Sequence, residues 1–190
     1  MGQAKTLTKA ELKRVIDVTK ACSRYPQRDV TMLLFTHWCG MRIGEVAALR
    51  VSDVIDVNNT IRAEIKLNAE QTKGNAARVV FVPERMRKEL KRYLQCATTP
   101  VHNDYLFHTQ KAKRFSANTA TQHLQRLYER AGIDGATSHS GRRTFITELA
   151  AKGVSVRVLA ALAGHRSIQT TQRYIDVNDD MMRNAVELLG

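Results

Sequence analysis

Near the C-terminal end the chain reads Gly164-His165-Arg166-Ser167-Ile168-Gln169-Thr170-Thr171-Gln172-Arg173-Tyr174, and upstream of this Ser138-His139-Ser140-Gly141-Arg142-Arg143-Thr144. Two histidines, an arginine and a tyrosine therefore follow one another in a fixed order. Groups of these types can surround a phosphodiester. Metal-free cleavage of that ester needs charge stabilisation on the nonbridging oxygens, a deprotonated nucleophile and a protonated leaving alkoxide. Arginine suits the first task, because its planar fork binds two oxygens and keeps its proton. Histidine moves a proton or donates a hydrogen bond. A tyrosine oxygen that loses its proton to a nearby base can form a covalent phosphoester. Arg42, which follows Gly40, is a second arginine candidate, and Lys73, beside Gly74, is an amine that could reach a cleft and protonate a leaving oxygen. Taken singly, each has an ordinary reading: an ion-paired arginine, a solvated turn lysine, a helix-packing tyrosine. Their order in one chain weakens those readings.

The elements that must position these groups can be read from periodicity. Thr8-Lys9-Ala10-Glu11 is a capping box for a first helix with Leu12, Val15, Ile16 and Thr19 on one face. A second helix is predicted from Val30 to Trp38 with a stop at Gly40, and a third from near Arg42, so Arg42 sits at a helix junction. Val54-Ile55-Asp56-Val57, a turn at Asn58-Asn59 and Thr60 to Ile65 read as a hairpin, with Arg78 to Val82 as a third strand ended by Pro83. Lys73 falls in the loop between the last two strands. Helical periodicity resumes from Glu84 to Gln95, where Met86, Leu90 and Tyr93 share a face and Arg85, Lys88 and Arg92 lie opposite. Tyr105-Leu106-Phe107 is a short extended stretch, and Asn118 to Ala131 a helix stopped by Gly132. After the His139 loop, helices are predicted near Arg143–Ala151, Ser155–Ala163 and Ser167–Tyr174, then a terminal one near Asp179–Leu189. The fold class expected is mainly α with a small three-stranded antiparallel β-sheet (α+β).

Composition restricts the partner. The 190 residues hold 30 Lys plus Arg against 18 Asp plus Glu, a net charge of +12. Such an excess favours a polyanion, because dispersed Lys and Arg neutralise phosphates and release their counterions. An apolar fraction of 43% with 25% charge belongs to a folded soluble domain, and no apolar run reaches membrane-spanning length. The N-terminus has no apolar signal core. Three scattered cysteines, Cys22, Cys39 and Cys96, fit no disulfide framework and point to a reducing cytoplasm. His37 and Cys39 have no second ligand pair at zinc spacing and read as interior helix residues. No metal and no cofactor is expected.

The ordered set Arg42, Lys73, His139-x-x-Arg142, Gly164-His165 and Tyr174 resembles the tyrosine recombinases (the phage-integrase family) over nearly the whole chain, from about Leu7 to Leu189. Gly40-Met41-Arg42-Ile43-Gly44-Glu45-Val46 is similar to the family's first arginine box, Thr72-Lys73-Gly74 to its β-hairpin lysine, His139 to Arg142 to its second box, and Gly164-His165 to Tyr174 to its third. The family usually carries leucine where this chain has Gly141 and Ala163; both differences look like packing changes.

The resemblance implies a site-specific DNA recombinase or integrase catalytic domain that forms a 3′-phosphotyrosine link without metal or ATP. By this resemblance Tyr174 is the nucleophile, Arg42 and Arg142 hold the nonbridging oxygens, and His165 is a further donor. Lys73 is the general acid, and His139 handles the nucleophile's proton. Its partner is double-stranded DNA, on which it self-associates as a tetramer, with no membrane, in the cytoplasm of a bacterial, phage or mobile-element host. Residues 1–190 are expected to form one catalytic domain, whose C-terminal helix 178–190 docks on a neighbouring protomer. Family members usually precede this domain with a helical core-binding domain that completes a clamp on DNA. Only a few residues precede the first helix here, which implies either a fragment of a longer integrase or a single-domain form like the fimbrial phase-switch recombinases. Type IB topoisomerases share the arginines, lysine and tyrosine, but Gly164-His165 nine residues before Tyr174 favours the recombinases. A noncatalytic DNA-binding module is the other class of reading, and the complete residue set argues against it.

Overall fold

The computed structural model describes residues 3–72, 74–96 and 104–175, together with positions 182, 183, 186 and 187. Helix α1 (Lys9–Cys22) begins with the expected capping box: Glu11 N–H donates to Thr8 Oγ1 at 3.2 Å, and Thr8 N–H to Glu11 Oε2 at 2.8 Å. Helix α2 (Pro26–Trp38) starts four residues earlier than periodicity suggests, because Pro26 supplies a pre-set first turn. It is buried continuously from Asp29 to His37 and packs against α1 and the later helices α5 and α7, so it is the axis of the domain.

Gly40, at φ +63°, ends α2, and a side chain there would run into the Phe145 ring. The chain reverses into α3 (Ile43–Ala47), with Arg42 as its N-cap. α4 (Val51–Val54) follows, then β1 (Glu64–Leu67), a 3-10 turn at Ala69–Gln71, β2 (Arg78–Phe81) and α5 (Glu84–Cys96).

Among the described residues the small antiparallel sheet has two strands rather than the three expected. β1 and β2 pair in the register Glu64↔Phe81, Ile65↔Val80, Leu67↔Arg78. Local side-chain hydrogen bonds displace the missing strand. Asp53 accepts the Arg50 N–H at 2.8 Å and caps α4, while Asp56 accepts N–H groups from Asn58 at 2.9 Å and Thr60 at 2.8 Å. The expected first hairpin is thereby reduced to a single bridge, Ile55↔Ile61.

Helices α6 (Ala117–Arg130), α7 (Ser140–Ala151), α8 (Val156–Ala163) and α9 (Ile168–Gln172) follow. Their apolar faces make two clusters. The large one joins α1 to α6 and the sheet; the small one holds Ile146, Ala150, Leu159 and Ala163, with Tyr174 and Ile175 packed on its edge. α7 reaches α2 through Gly141, where an added Cβ would collide with the Thr36 hydroxyl and lie 2.8 Å from the His37 ring. Glycine at position 141 thus permits a close helix crossing directly under the Arg142 turn.

The predicted terminal helix, 178–190, lies outside the described residues apart from the four positions named above. Among the described residues no helix is long and apolar enough to cross a membrane.

Candidate active site

Two guanidinium groups converge on one buried carboxylate. Glu45, 1% exposed, takes the Arg42 N–H at 2.9 Å through Oε2 and the Arg42 guanidinium at 3.0 Å through Oε1. From β2, Arg78 (10% exposed) donates to the same carboxylate at 2.6 and 3.2 Å and to the Leu162 carbonyl at 3.0 Å. Burial pushes the Glu45 carboxyl up. The hydrogen bond and charge of Arg78, with those of Arg42, outweigh burial and leave it below the usual carboxylate range. Glu45 is therefore an anion that orients two arginines while cancelling one charge.

Arg142, on the first turn of α7, is 4% exposed. Its Nη1 donates to the Gly40 carbonyl at 2.8 Å and its Nη2 to the Ala163 carbonyl. It thereby joins the α2–α3 reversal to the end of α8, across the seam between the two clusters. Burial, then the Arg42 charge, press its pKa down to about 9, so it stays cationic at neutral pH. Among the described residues those two carbonyls take two of its five N–H groups.

α8 ends at Gly164 in the left-handed conformation (φ +61°), where a Cβ would meet the Arg78 side chain 2.6 Å away. This C-cap turns the chain so that His165 follows beside the arginines, and Arg42 Nη2 reaches the Gly164 carbonyl at 3.4 Å. The His165 ring stacks on that of Tyr174 with centroids 5.8 Å apart and planes 17° off parallel. The Arg143 guanidinium lies over the Tyr174 ring, 5.6 Å from its centroid. His165 Nδ1 is 2.8 Å from Thr171 Oγ1. Burial first, then the charges of Arg142, Arg42 and Arg78, push the His165 pKa down to about 4, so the ring is neutral at pH 7.

A cleft of about 320 Å³ opens at this point, lined by Arg42, Thr72, Arg78, Gly164, His165 and Arg166. Two or more positive charges remain in excess around it, which suits a phosphate oxygen better than any neutral group. A larger groove of about 630 Å³ shares Arg42 and Thr72 and extends past Ser138 to His139.

The structure thus brings Arg42, Arg142, His165 and Tyr174 together. It sets His139, the exposed N-cap residue of α7, in the adjoining groove. Lys73 lies outside the described residues; its neighbours Thr72 and Gly74 both line the cleft. Reasoning from sequence passed over Arg78, Arg166 and Thr171. Arg78 had a signal: it is in phase with the inward-facing Val80 and Val82, a charged residue on a buried strand face. Arg166, whose Nη2 donates to the Gly74 carbonyl, had none beyond its place next to His165. His37 and Cys39 are interior as expected: His37 Nε2 is 3.0 Å from Tyr128 Oη, and burial drives its pKa down to about 3 and that of the Cys39 thiol up to about 12.

Residues 5–181 match the sequence model of the phage integrase family. The chain belongs to that family. It is 29% identical over 186 residues to the tyrosine recombinase XerA of Pyrococcus furiosus, an alignment covering 96% of this chain and 61% of the relative. A crystal structure of XerA recombinase superposes with a TM-score of 0.77 at 28% identity, over 99% of this chain and 66% of that one. The Tn1549 transposon integrase in complex with a circular intermediate DNA shares the fold, with a TM-score of 0.74 at 20% identity, over 100% of this chain and 67% of that one. The chain therefore spans about three fifths of the length of the curated phage-integrase relatives it matches.

The electrostatics of this family member predict a loss of stability on the acid side of neutrality. Depressed carboxylates such as Glu45 and Asp29 contribute stability above their unfolded value near 4.5 or 3.8 and lose it as pH falls through the folded pKa. His165 and His37 stay neutral in the fold while the unfolded chain takes protons near 6.5, so they too cost stability as pH falls below that value. Urea midpoints should be level between about pH 7 and 8 and decline steadily from about 6.5 to 4; a midpoint unchanged over the acid interval would contradict these assignments.

Proposed function

We propose that the chain is the catalytic domain of a site-specific DNA recombinase that cuts and rejoins strands through a 3′-phosphotyrosine intermediate. The observation that carries this reading is the stacking of Tyr174 on a neutral His165 beside the Arg42 and Arg142 guanidiniums, in a chain of net charge +12.

The chemistry follows from those positions. The scissile phosphate enters the cleft with its nonbridging oxygens toward Arg42 and Arg142, whose charge is pre-oriented and needs no reorganisation as the pentacoordinate state forms. Tyr174 Oη attacks phosphorus; the bond to the 5′ oxygen breaks, and the 3′ phosphate remains on the tyrosine. His139 receives the phenol proton and Lys73 protonates the departing 5′ oxygen. Rejoining is the same path reversed with a 5′-hydroxyl as nucleophile, so the phosphoester bond energy is conserved and no ATP is consumed. Arg78 acts through Glu45 to hold Arg42.

The substrate is double-stranded DNA. The two DNA-facing grooves share Arg42, so duplex contacts extend from the cleft past His139. On DNA the protein acts as a tetramer, residues 178–190 docking on a neighbouring copy, in the cytoplasm of a bacterial, phage or mobile-element host.

The test is trapping on a suicide duplex nicked next to the cleavage point, run in EDTA and resolved under denaturing conditions. A covalent protein–DNA band in the chelator is expected. Activity that vanishes in EDTA and returns with magnesium would replace this mechanism with a two-metal nuclease.

A further inference from the structure

The Thr171 side chain is 0% exposed, and its hydroxyl lies 2.8 Å from His165 Nδ1. A neutral imidazole carries its proton on one nitrogen and accepts on the other, and the partner of one nitrogen decides the state of both. Among the described residues Thr171 Oγ1 has no other hydrogen-bond partner. If Nδ1–H donated to it, the threonine's own proton would be stranded in a buried site. If the hydroxyl donates to Nδ1, that proton is satisfied and the ring hydrogen sits on Nε2. The surroundings keep the ring in a neutral state: burial and the charges of Arg142, Arg42 and Arg78 deny it a second proton at neutral pH, so the Thr171 contact is what selects between the two tautomers.

We propose that Thr171 is a positioning residue that holds His165 as its Nε2–H tautomer, making it a hydrogen-bond donor to a phosphate oxygen and not a base for Tyr174. This rests on the recombinase reading for its consequence in DNA cleavage, but the tautomer itself is a property of the DNA-free chain. Thr171 sits one turn before the nucleophile, and the Tyr174 N–H donates to the Thr171 carbonyl at 2.9 Å. The same residue therefore supports both members of the stacked pair: its side chain sets the histidine, and its main chain holds the tyrosine turn.

The experiment uses the full chain labelled with ¹⁵N-histidine, and long-range ¹H–¹⁵N correlation spectra at pH 7, with His165→Gln to assign the signal. The wild-type ring is expected to show a protonated Nε2 and an unprotonated Nδ1. Thr171→Val, which keeps the shape and removes the hydroxyl, should mix the tautomers and slow cleavage of the suicide duplex by about tenfold or more, the scale seen when an orienting partner is lost. Thr171→Ser should restore both readouts. A wild-type ring protonated on Nδ1 would overturn the proposal whether or not any variant folds. So would a valine variant that keeps the pure Nε2–H form and wild-type cleavage. A wild-type Nε2–H ring that is lost in the valine variant, in a chain that forms no covalent DNA adduct, would support the tautomer assignment and overturn the recombinase reading instead.

Discussion

Tyr174→Phe is expected to abolish covalent attachment to DNA and to leave noncovalent binding and folding close to wild type. The ring carries the structural duties of this residue: it stacks on His165 at 5.8 Å and packs on the Ile146, Ala150, Leu159 and Ala163 cluster. Its main chain is held by the Thr147 hydroxyl, which donates to the Tyr174 carbonyl at 3.3 Å. Phenylalanine keeps all of these and loses the one oxygen that can attack phosphorus. The suicide-duplex assay should give no adduct, while band shifts on the same duplex persist. An undiminished adduct in the phenylalanine variant would mean that another residue is the nucleophile.

Arg142→Ala should have two effects. Cleavage should slow by roughly a hundredfold or more, the scale on which a pre-oriented donor in a charge-stabilising site acts. Stability should fall as well, because the Gly40 and Ala163 carbonyls both lose a buried donor, at about 1–3 kcal/mol each. Arg42→Ala makes the informative comparison. That side chain is 29% exposed, and Glu45 keeps Arg78 when it is removed. A similar kinetic loss is expected there with a much smaller change in the urea midpoint. If both variants cleave at near wild-type rates, the guanidiniums are structural and the site has been misread.

The helices were legible because their signals are local. Thr8 and Glu11 form the capping box their spacing suggests, and Gly40, Gly132 and Gly164 all adopt positive φ where a helix was expected to stop. The extra strand was misread for a local reason of a different kind. Val54 to Val57 and Thr60 to Ile65 have apolar content suited to pairing, but the Asp53 and Asp56 carboxylates capture backbone N–H groups first. Arg42, Arg142, His165 and Tyr174 stood out by order and spacing, and the fold brings them to one seam. What spacing could not convey is three-dimensional: that Arg142 is also a brace between two clusters, that Glu45 is shared by Arg42 and Arg78, and that His139 faces a groove beside the cleft. The Gly141 departure becomes intelligible only when α2 is seen directly against it.

The central claim is that Tyr174 forms the bond to DNA, and the most direct measurement is mass spectrometry of the trapped adduct after nuclease and trypsin digestion. Cleavage after Arg173 and Arg183 isolates a peptide from Tyr174 to Arg183 with a single tyrosine at its N-terminus. The account predicts that the residual nucleotide is carried by that peptide, through a 3′ phosphate on the tyrosine oxygen. The nucleotide on a peptide bearing Tyr25, Tyr93, Tyr105 or Tyr128, or attached through a 5′ phosphate, would contradict it.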